Sequence, residues 1–177
     1  MGGGSPRGAA GPVALGGVLA AGSLAVLWLA CVAPSGRLGL TAAAGLFPLA
    51  GAVTAGRAVG SLCWGAGGVL GLLLLPDKGA ALLYLMFLGL YPVVKGRIES
   101  LGGLVVEWCL KLLYFNAALT AAWFLFRQLL LPDPPAWMAE GLWAVYLAGN
   151  GAFVIYDVGL SRLVALLRAR LRPGRRR

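Results

Sequence analysis

The stretch VVEWCLKLLYFNAALTAAWFLFRQLLL, Val105 to Leu131, decides the fold. It is long enough to cross a bilayer, since roughly 20 apolar residues in a helix span the hydrocarbon. Yet it carries Glu107, Lys111 and Asn116 ahead of a clean apolar run that ends at Arg127. Ionisable groups at membrane depth are costly and are rarely kept without a partner or a task. Glu107 and Lys111 stand four apart on one helix face, in the order that favours an acid–base pair. The plain reading is an internal salt bridge that lets the helix insert; the sharper one is a site. The rest of the chain reads as a bundle built around this helix.

Composition sets the class. Sixty per cent of the 177 residues are hydrophobic, 12% are charged, and the mean hydropathy is +0.86. A soluble domain has about a quarter of its residues charged. The expectation is an all-α, polytopic membrane protein forming one compact bundle. A formal net charge of +9 can suggest nucleic acid. Here seven of the fifteen cations lie between Arg162 and Arg177, next to a membrane helix. That placement points to anionic lipid headgroups and to topology, and no nucleic-acid partner is expected.

Three cysteines, Cys31, Cys63 and Cys109, fall in apolar runs without CxxC spacing, which gives neither a disulfide framework nor a zinc site. The chain has no histidine, so the commonest metal ligand and the usual general base at neutral pH are missing. No phosphate loop, HExxH, nucleophile elbow or carboxylate dyad is present. The reading is a non-enzyme with no cofactor and no metal site.

In chain order, residues 1–11 form a glycine-rich leader with one charge, Arg7. Helix one is expected from about Pro12 to Ala33, too long for a cleavable apolar region of about 7–15 residues. Helix two is expected over Leu38 to Thr54 and helix three over Ala58 to Leu75. Gly51 and Ala55, Gly56 and Gly60, and Gly67 and Gly71 are each four apart, a spacing that lets backbones approach closely in lipid. Helix four is expected over Gly79 to Val94. At about 24 Å it is short, so it either extends past Pro92 with a kink or thins the bilayer. Helix five is the opening stretch, and helix six runs from about Trp137 to Leu160. These six spans make a transmembrane domain over residues 12–160. Residues 161–177 read as a basic amphipathic surface helix, with Arg162, Arg168, Arg170 and Arg172 off the apolar stripe and meeting lipid headgroups.

Six spans put both termini on one side. That side collects eleven cations against three on the other, so both termini are expected to be cytoplasmic. On this topology Glu107 and Asp157 are each about 4–5 Å deep, Lys111 about 10 Å, Asn116 about 18 Å and Asn150 about 15 Å. Lys111 can snorkel toward both carboxylates. The two asparagines, at matching depth on consecutive antiparallel helices, suggest a hydrogen bond worth about 1 kcal/mol. Asn116 lies close to the opposite face of helix five from Glu107. The charged cluster and the asparagines are therefore not expected both to face helix six squarely.

A second candidate site is the outer mouth. Arg37, Asp77, Lys78 and Arg127, with Asp133 and Glu140, place mixed charges on three outer loops. They read either as a site for a small polar solute or as ordinary solvated loop residues.

Six helices in this length, with small-residue-rich early helices, resemble the substrate-binding S components of energy-coupling-factor vitamin transporters. The segments LLLLPDKGAALLYLMFLGLYPVVKGRIES and EWCLKLLYFN also resemble bacterial membrane proteins of that type, and the likeness covers roughly Val13 to Leu160. S components dock on a transmembrane coupling subunit through small residues of helix one, a spacing that Gly17, Ala21 and Ala25 match. The resemblance implies a solute-binding subunit in the bacterial cytoplasmic membrane. Such a subunit would work with a coupling subunit and ATPases, and its ligand would lie in the outer half. The alternative reading is a non-transporting membrane scaffold whose charged cluster is structural.

Overall fold

A computed structural model of the protein describes residues 7–129 and 142–171. Expectations for the leader up to residue 6, for Asp133, Glu140 and Arg172, and for the Arg127 side chain lie outside the described residues. All regular structure among the described residues is helical, with no strand. Among the described residues, five stretches are long and apolar enough to cross a membrane: Ala10–Val32, Arg37–Thr54, Arg57–Leu74, Lys78–Leu101 and Leu104–Phe124.

The elements are α1 (Arg7–Val32), α2 (Arg37–Ala44), α3 (Leu46–Thr54), α4 (Arg57–Leu74), α5 (Lys78–Leu83), a π-turn (Tyr84–Leu88), α6 (Tyr91–Ile98), a 3₁₀ turn (Glu99–Leu101), α7 (Leu104–Leu129) and α8 (Leu142–Leu171). They fall into two compact units, Met1–Val94 with Leu167–Arg177, and Lys95–Leu166.

Two boundaries differ from the sequence expectation, each for a local reason, and helix four takes one of its two expected courses. Helix two breaks at Gly45, because Pro48 has no N–H to give to the carbonyl four residues before it. Helix four takes the extended course, reaching Leu101 through the π-turn and Pro92. The long C-terminal helix, α8, runs through the boundary expected at residue 160. Nothing in VGLSRLV stops it, and the Ser161 hydroxyl donates back to Asp157 O at 3.0 Å. At 30 residues α8 is about 45 Å long, more than a bilayer core needs. It is not among the five stretches above; Asn150 and Asp157 lie in its first sixteen residues. Arg162, Arg168 and Arg170 are exposed along its second half.

The first unit packs through small residues. On α1, Gly16, Ala20, Ser23, Leu27 and Ala30 are buried, and Leu27 joins Ala44, Leu75 and Tyr84 in the core. Gly60 on α4 lies so close to α3 that a Cβ there would stand 2.7 Å from Pro48 O and from Ala52 Cβ. That is the close backbone approach its spacing with Gly56 predicts, although Gly56 itself is exposed and opens α4 with φ 99°. Gly67 sits against Tyr84 and Ser23, and Gly71 against Ala81.

Candidate functional site

In the first unit, Arg37, Asp77 and Lys78, expected at an outer mouth, stand at helix ends. Arg37 donates to Cys31 O, near the end of α1, at 3.2 Å and pairs with Asp77 at 3.6 Å. Asp77 in turn accepts from Gly79 N at 2.9 Å, capping the start of α5. The Lys78 ammonium donates to Leu72 O and Leu75 O, each at 2.7 Å, closing the end of α4. A cation over the last carbonyls and a carboxylate at a helix start are where the helix ends need them. Arg37 and Asp77 are brought together, and Lys78 is directed to main chain.

The charged cluster lies in the second unit. Lys111 on α7 donates to Glu107 at 2.5 Å, to Asp157 Oδ2 on α8 at 2.9 Å and to Glu99 Oε1 at 3.2 Å. Lys95 on α6 takes the other oxygen of Asp157 in a short ion pair, and meets Glu99 Oε1 at 2.6 Å and Asp157 O at 3.4 Å. Lys95, Asp157, Lys111 and Glu99 therefore close a four-member ionic ring, with Glu107 attached at Lys111. Each ammonium has three N–H donors, and all three on each lysine have an acceptor. Lys111 also stands 5.4 Å from the centroid of the Trp108 ring.

Burial grades this ring. The side chains of Lys95 and Lys111 are 2% exposed and that of Asp157 is 3% exposed, whereas Glu107 is 25% and Glu99 37% exposed. Two cations are thus saturated by a fully buried carboxylate and two half-exposed ones. Charges taken out of water are tolerated when every donor and lone pair is met in this way.

Lys95 and Glu99 lie just beyond helix four as expected over Gly79 to Val94, so the sequence alone does not bring them to the site. Once helix four continues past Pro92, their spacing of four is the same signal that marks Glu107 and Lys111.

Two further polar contacts join α7 to α8. Asn116 Nδ2 donates to Asn150 Oδ1 at 3.0 Å, and Asn150 Nδ2 returns a bond to Asn116 Oδ1 at 3.1 Å. The second amide hydrogens go to Leu112 O and Tyr146 O, each at 2.8 Å. Thr120 donates to Asn116 O at 2.7 Å, so at 2.6 Å it accepts from the Tyr146 hydroxyl. Between the ring and the amides, Phe115 and Phe153 stack with centroids 4.7 Å apart.

From the sequence, the cluster and the asparagines are not expected both to face the last helix squarely; both reach α8, but from either side of the contact. Phe115 marks the middle of the contact stripe, and Lys111 and Asn116 flank it on either side. Lys111, with its long stem, makes the bond to α8, while Glu107 stays behind it. Among the described residues, no three of His, Cys, Asp and Glu are grouped so as to hold a metal ion. No protein-family model, curated protein or solved structure matches the chain.

Proposed function

We propose that the protein is a six-span integral membrane protein of the bacterial cytoplasmic membrane, with both termini cytoplasmic. In this reading it is the solute-binding subunit of a transporter that relies on partner subunits for energy. The observation that carries the reading is the outer face of α1. Gly17, Ala21 and Ala25 form a small-residue row that is exposed, while the residues on the opposite face are buried. Nothing stands within 4 Å of a Cβ placed on Gly17. A helix facing only lipid has no need of small residues, whereas a helix that receives another helix does. The row fits the coupling subunit of an energised transporter, and the basic end of α8 fits anionic lipid.

A second reading, a non-transporting scaffold, is favoured by the ionic ring. All its lysine donors are used inside the protein, which leaves none to hold a solute.

A thermal-shift screen of the purified full chain against water-soluble vitamins and their precursors separates the two. A ligand at about a hundred times its dissociation constant adds about 2.7 kcal/mol of stability. We expect one compound to raise Tm. Ala21→Leu should keep that shift and abolish cellular uptake, because it blocks docking without touching the ligand. A screen in which no compound raises Tm favours the scaffold.

A further inference from the structure

Two helices of the first unit are interrupted, and their interruptions meet. Pro48 cannot donate to Ala44 O, and Pro92 cannot donate to Leu88 O, since proline has no N–H. Ala44 O instead accepts from the Ser23 hydroxyl of α1 at 3.0 Å. Leu88 O lies against Gly45, where a Cβ would overlap it, so the second interruption rests on the backbone of the first. The π-turn between Tyr84 and Leu88 closes through Gly89 N to Tyr84 O at 2.7 Å. Leu85 O within that turn accepts from Trp64 Nε1 of α4 at 3.0 Å. Finally, Tyr84 OH donates to Ser23 Oγ at 3.2 Å, which ties the π-turn to the hydroxyl that caps the other break.

Main-chain groups in a bilayer core must be satisfied within the protein. Here the two uninterrupted helices, α1 and α4, each supply one side-chain donor to a neighbouring interrupted helix. Broken spans at membrane depth are tolerated where they are buried in protein or line a cavity, and in transporters they form the substrate and ion sites. π-turns likewise concentrate at functional positions.

We propose that the Gly45 break and the Tyr84–Leu88 turn form one coupled hinge, held shut by Ser23 and Trp64. Opening it would swing α2 from α3 and α5 from α6 together. It would also expose three carbonyls, of Ala44, Leu85 and Leu88, beside the Ser23 and Tyr84 hydroxyls, an acceptor-rich lining for a solute with N–H or O–H donors. The hinge does not depend on the transporter reading, because its movement is measured without any solute.

The test is hydrogen exchange of the full chain in lipid nanodiscs, comparing the parent with Ser23→Ala, Ser23→Thr and Trp64→Phe. Trp64 donates to the π-turn alone, so Trp64→Phe is the decisive variant. A coupled hinge predicts that it speeds exchange in residues 84–91 and also in residues 43–50, by about tenfold in each, one decade in the opening equilibrium. Ser23→Ala should loosen both segments, and Ser23→Thr, which keeps the hydroxyl, should restore protection. If Trp64→Phe loosens residues 84–91 alone, or neither segment, the hinge is overturned. Should Ser23→Ala fail to yield folded protein, Trp64→Phe still decides.

Discussion

The two units hold their helices together by different chemistry. In the first, glycines and alanines bring backbones into contact, and the exceptions to helical bonding are met by neutral donors, Ser23 and Trp64. In the second, α7 and α8 are joined by a buried ionic ring, a stacked phenylalanine pair and a reciprocal amide pair. Lipid tails are as apolar as leucine, so in a bilayer neither unit gains much from hiding aliphatic side chains. Close packing and polar bonds are the two routes left, and the chain uses one in each unit. The difference teaches where substitutions should be felt. Added volume should harm the first unit, and lost charge balance the second.

The largest effect should come from the ring. Lys111→Met leaves Lys95 with two carboxylates, the buried Asp157 and Glu99, and deprives Glu107 of its ion pair. Breaking a buried pair on one side costs about 3–5 kcal/mol. The half-exposed positions of Glu99 and Glu107 place this case toward the lower end. Unfolding in a graded denaturing-detergent series measures it. Adding Glu107→Gln and Asp157→Asn leaves a neutral Lys95–Glu99 pair four residues apart and should recover most of the loss. Lys111→Met protein as stable as the parent would remove the ring from the account of the second unit.

Next in size is a comparison of two glycines. A methyl group at Gly60 meets a carbonyl oxygen, Pro48 O, at 2.7 Å, and main chain cannot step aside cheaply. A methyl group at Gly149 meets the end of the Phe115 ring at 3.2 Å, and a side chain can shift by a few tenths of an ångström. Overpacking costs about 1–3 kcal/mol when the surroundings cannot yield. Gly60→Ala should therefore fall in that range and Gly149→Ala below it, in the same detergent series. Equal losses would show that close backbone packing does not distinguish the first unit.

How far the residues announce this architecture varies from place to place. The apolar run around Lys111 and the spacing to Glu107 are visible because helical period and charge are local properties. The matching depths of Asn116 and Asn150 follow from counting residues along two antiparallel helices. Lys95 and Glu99 are hidden because Pro92 leaves two courses open for helix four, and only the extended course puts them four apart on one helix. Pro48 hides in the same way, since a proline inside an apolar run marks a break only if a neighbour such as Ser23 stands ready to take the freed carbonyl. The facing of Lys111 and Asn116 depends on which residue sits at the centre of the contact. That residue is Phe115, and only the packing identifies it. The capping by Arg37, Asp77 and Lys78 is local chemistry at helix ends. It does not separate a solute site from ordinary caps until the partners are seen.

The smallest expected effect tests whether the second unit's polar bonds set stability or register. Asn116 and Asn150 use both amide hydrogens and exchange two bonds, so each completes the other. Interhelical hydrogen bonds in membranes are worth about 0.6–2 kcal/mol, because the separated helices also find partners. Asn116→Leu alone leaves the Asn150 amide without its cross-helix acceptor and donor, and should cost about 1–2 kcal/mol. Asn116→Leu with Asn150→Leu removes both polar groups together and should regain most of that, since no amide is then stranded. The cycle of four proteins isolates the coupling between the two sites. If the amides chiefly align α7 against α8, the double variant should match the parent in stability but lose definition. Cysteine pairs placed at Thr120 and Tyr146 would then cross-link less completely and admit neighbouring registers. A double variant less stable than either single one would instead make the amide pair a main source of cohesion in this unit. Polar bonding there would then outweigh the aromatic stack beside it.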